Sequence, residues 1–264
     1  MRQRDGRLAW AEIALSECAP IALRYVAHPP RVELKADRSP VTIADRLIEE
    51  RLRRALQRAF PGEAIIGEEF GPSSDAHPRT FWTIDPIDGT RAFSRGLPSW
   101  GMLLSYIEEG VPVLGACLFP AWQVFLGVGP GTPAFERQGR TRRLLPRARA
   151  RTSLSRAVIF HGGSGWWFRT PYAAGFRQLV QSCYLERAYG DCAGYLWAFR
   201  GHVDAVIDCG VKIWDIAPMA ALARATGRTL TDFDNRISFT GPYSILAAPA
   251  LARVIARTLS KNSP

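Results

Sequence analysis

The stretch WTIDPIDGTRAFSRG, residues 82–96, decides how this chain is read. A short, mostly apolar run gives way to two aspartates three positions apart, Asp85 and Asp88, and a Gly-Thr step follows. RTFWTI has the length and composition of a buried strand, so Asp85 falls at its carboxyl end, where open α/β structures place function. Pro86 lacks an N–H and has a fixed φ, which stiffens the exit from the strand. Gly89 permits a tight turn and a close backbone approach. Thr90 then opens a short helix, TRAFSRG, whose first N–H groups point outward and attract phosphate. Taken alone, the pair is equally an Asx-type turn in which both aspartates cap backbone. Two carboxylates this close repel unless a positive charge joins them.

Other acidic segments supply context. GEEF places Glu68 and Glu69 at a second strand end, after AIIG. IWDIAPM places Asp215 directly before a helix, as its N-cap, with Pro218 in the first turn. In TIADRLIEERLRRALQRAF, the residues Ile43, Leu47, Ile48, Leu52, Ala55, Leu56 and Ala59 recur at three- and four-residue steps, which makes one apolar helix face. Thr42 is its N-cap, Pro61-Gly62 closes it, and Asp45 in its first turn favours the helix dipole. A set of carboxylates without His or Cys suits hard divalent cations such as Mg²⁺. Two such ions about 3.5–4 Å apart form a clamp for in-line phosphoryl chemistry.

The rest of the chain divides into two halves. A helix is expected from Arg7 to Ala27, kinked or broken at Pro20. SWGMLLSYI and VPVLGACLF form a hairpin across EEG, and WQVFLGV is a third strand, so the first half is an α+β lobe over residues 1–145. From residue 146 to 264 strands and helices alternate: RAVIFHG, PYAAGFRQLVQSC, CYLERAY, DCAGYLWAFRG, VDAVIDCG, DIAPMAALARATG, YSILAAP and ALARVIARTLS. That is an α/β lobe.

The chain has 264 residues with 47% hydrophobic and 22% charged, an ordinary soluble composition. Of the net charge of +10, much lies in FERQGRTRRLLPRARARTSLSR, with eight arginines from Arg137 to Arg156. This run marks the lobe boundary. It is a solvated loop or hairpin, or alternatively a polyanion-binding strip, but no aromatic residues interleave to stack on bases. Five cysteines, odd in number and without CxxC, indicate reduced, mostly buried thiols in a cytoplasmic protein. Glu12 and Glu17 interrupt the amino-terminal stretch, which is neither a signal peptide nor a membrane span. GGSGW misses the G-x-S-x-G pattern, and the four histidines form no HExxH.

GEEF, WTIDPIDGTRAF and IWDIAP, with KADRSPVTIADRLIE upstream, resemble in order and spacing the motifs of the inositol monophosphatase family. The resemblance covers nearly the whole chain. It implies the layered αβαβα sandwich of the inositol monophosphatase and fructose-1,6-bisphosphatase type, an α+β lobe joined to an α/β lobe. It implies a phosphomonoesterase with two to three Mg²⁺ ions per site and no covalent intermediate. By the same resemblance, Glu68, Asp85 and the carbonyl of Ile87 form the first metal site, and Asp85, Asp88 and Asp215 the second, while a third, weaker ion also uses Glu68. Thr90 and Asp45 are the pair that orients and deprotonates the attacking water, and Gly89 with Thr90 holds the phosphate. A homodimer acting on a small phosphorylated substrate is implied, without membrane or nucleic-acid partners.

YGDC and GHVDAVIDCGVKIWD look more like the histidinol-phosphate phosphatase branch, as does TFWTIDPIDGTRAFSRGLPSWGMLLSYIEEGVPVLG. Typical inositol phosphatases have Gly-Ser/Thr-Ala where this chain has Gly190-Asp191. Asp208 replaces a glutamate common in inositol phosphatases. Histidinol phosphate carries an ammonium group, which Asp191 and Asp208 would pair. The other reading of Asp191 is a helix cap before Cys192. Inositol 1-phosphate, a nucleotide 3′-phosphate and a sugar phosphate are the rival substrates. Trp166, Trp167 and Phe168 are expected in the core or a subunit interface, with ring stacking on the substrate as the other reading.

Overall fold

The computed structural model describes residues 6–27, 32–35, 40–73 and 78–260. Part of the segment KADRSP, two histidines (His28 and His77) and the first five residues lie outside the described residues. The chain forms two compact units, Met1–Leu144 and Leu145–Pro264.

The first unit runs α1 (Arg7–Ala27), β1 (Glu33–Leu34), β2 (Pro40–Val41), α2 (Ile43–Ala59), β3 (Ala64–Gly67), β4 (Gly71–Pro72), β5 (Phe81–Asp88), α3 (Thr90–Phe93), β6 (Gly101–Glu108), β7 (Val111–Phe119), β8 (Val124–Gly129), β9 (Thr132–Gln138) and β10 (Thr141–Leu144). Eight strands make one sheet in the order β10-β9-β8-β7-β6-β5-β3-β4, and β1 pairs with β2 separately. Among the described residues of the large sheet only β3 and β5 run parallel. Helix α2 starts where its chemistry dictates. Thr42 caps it, and Asp45 reaches back to the Thr42 N–H, closing a capping box. Its apolar face, Ile48, Leu52 and Leu56, packs with Ala11, Leu15 and Cys18 of α1 against Ile65, Trp82 and Leu104 of the sheet.

Trp82 is the hub of this core. Its ring lies 5.6 Å from Trp10, 5.5 Å from Phe60 and 5.0 Å from Tyr106. Its indole N–H donates to Glu63 at 2.6 Å, so the one polar atom of this side chain is satisfied. Arg7 pairs with the same carboxylate and stacks over Tyr106.

Helix α1 spans Arg7–Ala27 as expected, with Pro20 inside it rather than breaking it. Two expectations are corrected here. Strand β5 does not stop at the first aspartate. It runs to Asp88, with Asp85 opposite Leu103 and Asp88 opposite Gly101, so residues 86 and 87 form a bulge. Pro86 has no N–H for the ladder, and a bulge is how a strand passes such a residue. The short helix after Gly89 is four residues long rather than seven.

The arginine-rich run begins as the hairpin β9–β10. Arg137 pairs with Glu12, Arg143 with Glu136 at 2.8 Å, and Arg142 stacks 4.0 Å over Phe135. In the second unit Arg151 meets Asp204 at 2.6 Å. These four arginines are engaged within their own units.

The second unit contains β11 (Val158–His161), α4 (Ser164–Trp167), α5 (Ala173–Ser182), β12 (Leu185–Ala188), α6 (Asp191–Phe199), β13 (Ala205–Cys209), α7 (Ile213–Ala225), β14 (Thr229–Thr231), β15 (Tyr243–Ala247) and α8 (Pro249–Ser260). The sheet order is β12-β11-β13-β15-β14. Strand β11 is parallel to both β12 and β13, and β15 is antiparallel to β13 and β14. Strand β14, inside ATGRTLTDFDNR, has no counterpart in the sequence reading. Along β13 the side chains alternate as a strand requires. Ala205 and Ile207 join a core with Phe176 and Leu179 of α5 and Leu251 and Ile255 of α8. Val206 faces the other way, toward α6 at Gly194. The sheet therefore has helices on both faces.

The aromatic triplet splits in two. Trp167 is fully buried, stacked 4.5 Å from Phe176 and 5.3 Å from Phe233. Trp166 and Phe168 are exposed, at 49% and 53%. Trp167→Ala is expected to cost about 3–5 kcal/mol, the range for an aromatic truncated in a packed core. That lowers the melting temperature by roughly 10 °C for a chain of this size. A fall under about 3 °C by circular dichroism would contradict the packing role. The cysteines are Cys18, Cys117 and Cys192, all buried, and the half-buried Cys183 and Cys209. Burial pushes the Cys18 thiol up to about 11 and the Cys209 thiol up to about 12, so these are packing residues rather than nucleophiles.

Candidate active site

The first unit gathers its predicted residues at the carboxyl ends of β3 and β5, beside the start of α2. The parallel register sets Gly67 opposite Ile84, so GEEF and DPIDGT leave the sheet together. The Glu68 N–H donates to the Ile84 carbonyl at 3.1 Å, which ties the turn after β3 to β5. Asp85 is buried and Asp88 half-buried, and they present carboxylate oxygens within 4.8 Å of each other. The bulge produces this. With one extra residue in β5, residues 86 and 87 facing Met102 alone, both aspartates remain paired with β6.

Gly89 holds a positive φ of 87°, and Thr90 begins α3 directly after it. The Thr90 hydroxyl lies 3.0 Å from the Ile87 carbonyl and 3.4 Å from Asp45 Oδ1. Asp45 Oδ2 accepts from the Thr42 N–H at 2.7 Å and the Thr42 hydroxyl at 2.5 Å. Helix capping and contact with Thr90 are thus shared between the two oxygens of one carboxyl group. Burial pushes the Asp45 carboxyl up to about 6, against the opposing pull of the Thr42 hydrogen bonds and with a smaller upward push from the charge on Glu68.

Lys35, which the sequence reading did not single out, donates to Glu68 at 2.8 Å and to Glu69 at 2.7 Å. Burial works against its charge, but the charges and hydrogen bonds of Glu68 and Glu69 together outweigh burial and hold the ammonium above its ordinary value. Glu69 is driven by burial to about 7, with Lys35 opposing. No local sequence signal marks Lys35, because it precedes its partners by more than thirty residues.

The second unit gathers Asp191, Asp208 and Asp215. Asp208 ends up buried near the end of β13. Burial, reinforced by the charges on Asp191 and Asp215, pushes its carboxyl up to about 8, although the N–H groups of Cys209 and Asp191 donate to it. Gly190 and Gly162 allow backbone to come close here. A Cβ on Gly162 would lie 2.3 Å from Asp208 Oδ1, and one on Gly190 would lie 2.8 Å from the Gly162 Cα.

Both capping expectations fail in this unit. Asp191 is the first residue of α6, at φ 54°, and Gly190 occupies the cap position. A left-handed aspartate beside the buried Asp208 is a strained conformation of the kind that clusters at functional sites. Asp215 is the third residue of α7, not its cap. It accepts from the Lys212 N–H at 2.8 Å. The helix begins three residues earlier than an Asp215 cap implied, and Pro218 lies at its sixth position.

The donor set of the first unit fits a hard cation. Glu68, Asp85, Asp88 and the Ile87 carbonyl offer only oxygen, and carboxylates alone supply the charge. A groove of about 800 Å³ between α1 and α2, lined by residues such as Ile21, Leu47, Arg24 and Arg58, holds none of these groups.

Residues 7–263 match the model of the inositol monophosphatase family. A histidinol-phosphatase of Mycobacterium tuberculosis is 34% identical over 221 residues, covering 84% of each chain. One of Streptomyces coelicolor is 34% identical over 258 residues, covering 95% of this chain and 93% of its own. An inositol-1-monophosphatase of Mycobacterium bovis is 30% identical over 231 residues, covering 84% and 78%. The solved structure of an inositol monophosphatase from Zymomonas mobilis superposes with a TM-score of 0.83 at 28% identity, covering 97% of this chain and 98% of that one.

Proposed function

The chain belongs to the inositol monophosphatase family and is a phosphoric monoester hydrolase, and from that premise we propose that it hydrolyses histidinol phosphate to histidinol and phosphate with Mg²⁺. Glu68, Asp85 and the Ile87 carbonyl would hold one ion, Asp85, Asp88 and Asp215 a second, and Glu68 also a third. When bound, Mg²⁺ offsets the charge on the phosphate oxygens and the leaving alkoxide and acidifies water. The protein's own groups aim the reaction. The Thr90 hydroxyl has one proton and faces two acceptors, with the shorter bond to Ile87. Asp45 Oδ1 therefore remains able to take a proton from water, while Thr42 secures Oδ2. Gly89 and Thr90 contribute N–H groups to the phosphate.

The observation that carries the substrate is the Asp191–Asp208 cluster. Burial and mutual repulsion raise Asp208 to about 8, so a cationic group entering there is favoured. Histidinol phosphate has an ammonium group and inositol 1-phosphate has none. The relatives named histidinol-phosphatase support the same choice.

The test is phosphate release from histidinol phosphate, inositol 1-phosphate and adenosine 3′,5′-bisphosphate, side by side with Mg²⁺. The highest kcat/KM is expected for histidinol phosphate, and a higher value for either other ester overturns the substrate. Asp191→Asn should lower kcat/KM for histidinol phosphate by roughly 10- to 100-fold, the loss of one charge-assisted hydrogen bond. Its value for inositol 1-phosphate should stay within about threefold, since that ester offers no cation to Asp191. Among the described residues no helix is long and apolar enough to cross a membrane. A cytoplasmic homodimer completes the proposal, its mass to be read by sedimentation equilibrium.

A further inference from the structure

We propose that Glu49 is a positioning residue for Glu68: from the buried face of α2 it grips the backbone of the turn that carries that carboxylate. The inference rests on the reading of Glu68 as a metal ligand. Glu49 lies one helical turn beyond Asp45, on the same face, and is 0% exposed. A buried carboxylate is costly unless it is paired and fully hydrogen-bonded. Here it is both. Oε2 accepts from the Glu69 N–H at 2.7 Å, and Oε1 accepts from the Phe70 N–H at 3.2 Å. Arg53, the next turn of the same helix, donates from Nε to Oε1 at 2.8 Å and from its other end to the Gly71 carbonyl.

The Glu49–Arg53 pair thus secures three successive residues, 69, 70 and 71, of a turn whose N–H groups would otherwise need water. On the other side the Glu68 N–H is fixed to Ile84. Glu68 is held between two anchored stretches of backbone, which fixes the point and direction from which its side chain leaves the turn. The glycine that opens GEEF has the same cause. A Cβ on Gly67 would lie 2.0 Å from Glu49 Oε1 and 2.8 Å from Arg53 Nη2, so the carboxylate occupies the space a side chain would need. Helix α2 presents Asp45 to Thr90 and, four residues later, the anchor for the GEEF turn. Both acid groups are placed by one rigid element, which is how metal ligands are kept within a fraction of an ångström of working geometry.

The test compares Glu49→Gln and Glu68→Gln with the parent chain. Mg²⁺ binding is measured by calorimetry without substrate, and kcat and KM are measured across a Mg²⁺ series. Glu49→Gln should weaken Mg²⁺ about 10- to 100-fold, the usual cost of losing a residue that orients a ligand. At saturating Mg²⁺ most of kcat should return, and KM for the phosphate ester should stay within about threefold; a defect in packing alone would not be rescued by Mg²⁺. If Glu68→Gln leaves Mg²⁺ binding unchanged, the ligand reading falls and this inference with it. If Glu68→Gln weakens Mg²⁺ and Glu49→Gln does not, the inference alone is overturned. Should Glu49→Gln give no cooperative melt, Arg53→Lys probes the anchor from its partly exposed end. A threefold or greater weakening of Mg²⁺ is then expected, and none overturns the proposal.

Discussion

Asp85→Asn is expected to lower kcat by about 10³-fold or more, with no recovery at high Mg²⁺ and a melting temperature within a few degrees of the parent. Such a loss corresponds to roughly 4 kcal/mol of transition-state stabilisation. The size follows from position. Asp85 is 1% exposed, on the strand between β3 and β6, and in the proposed site it is the carboxylate shared by two ions. Asparagine keeps the shape of the side chain and one oxygen but removes the charge. Both ions are weakened at once, so added Mg²⁺ cannot compensate as it should for Glu49→Gln. The fold is spared because the strand's ladder uses backbone groups and the bulge is set by Pro86. Steady-state phosphate release and a thermal melt decide the matter. Activity within tenfold of the parent would remove the two-ion reading.

Asp45→Asn comes next, with an expected fall in kcat of about 10²- to 10⁴-fold, the range for loss of a general base. A pH profile makes this specific. The Asp45 carboxyl, raised by burial from 3.8 to about 6, must be ionised to accept a proton. The parent's kcat/KM should therefore decline as pH falls through an acidic limb near or below 6, lower once Mg²⁺ occupies the neighbouring carboxylates. In the variant that limb should vanish. Persistence of the limb, or a kcat within threefold of the parent, would exclude Asp45 as the base. Stability moves the other way. A folded pKa above the unfolded one means that Asp45 contributes fully below about 3.8, and that this contribution is lost as pH rises through about 6. At pH 8 without metal the buried ionised carboxylate is a burden, so the variant should melt no lower than the parent. Any gain should shrink as the pH is taken down toward 4. Asparagine retains an oxygen for the Thr42 cap, which protects α2 from a compensating loss.

The elements that were legible from residues alone share a cause. The Thr42 cap of α2, the hairpin of β6 and β7 and the Ile48, Leu52 and Leu56 part of the α2 apolar face are written in spacings of two to four residues, and the structure has them, while Ile43 and Leu47 of the expected face are exposed. DPIDGT, GEEF and IWDIAP were legible as a set, through the resemblance of their order and spacing to one family's motifs, since DPIDGT and IWDIAP taken alone read equally as a turn and a helix cap. The arginine run, left open as a loop or a hairpin, begins as a hairpin whose turn is at Gly139.

What failed was decided at a distance. The extension of β5 past Asp85 depends on β6 being there to pair with Asp88. Strand β14 is three residues long and exists only because β15 offers it an edge. Asp191 looked like a helix cap because its neighbours suit one. Its left-handed backbone and the contact of its N–H with Asp208 come from β13, a separate strand. Lys35 and Glu49 carry no motif at all. Each is defined by the turn it meets, 33 and 20 residues away. By itself, then, the order of residues determined most of the helices and the hairpins, which follow from local periodicity, and it carried the motifs whose resemblance pointed to the family. Only tertiary structure decided which oxygen of Asp45 is left to work, why Gly67 must be glycine and what raises Asp208, because hydrogen-bond geometry, steric exclusion and desolvation arise between segments that folding brings together.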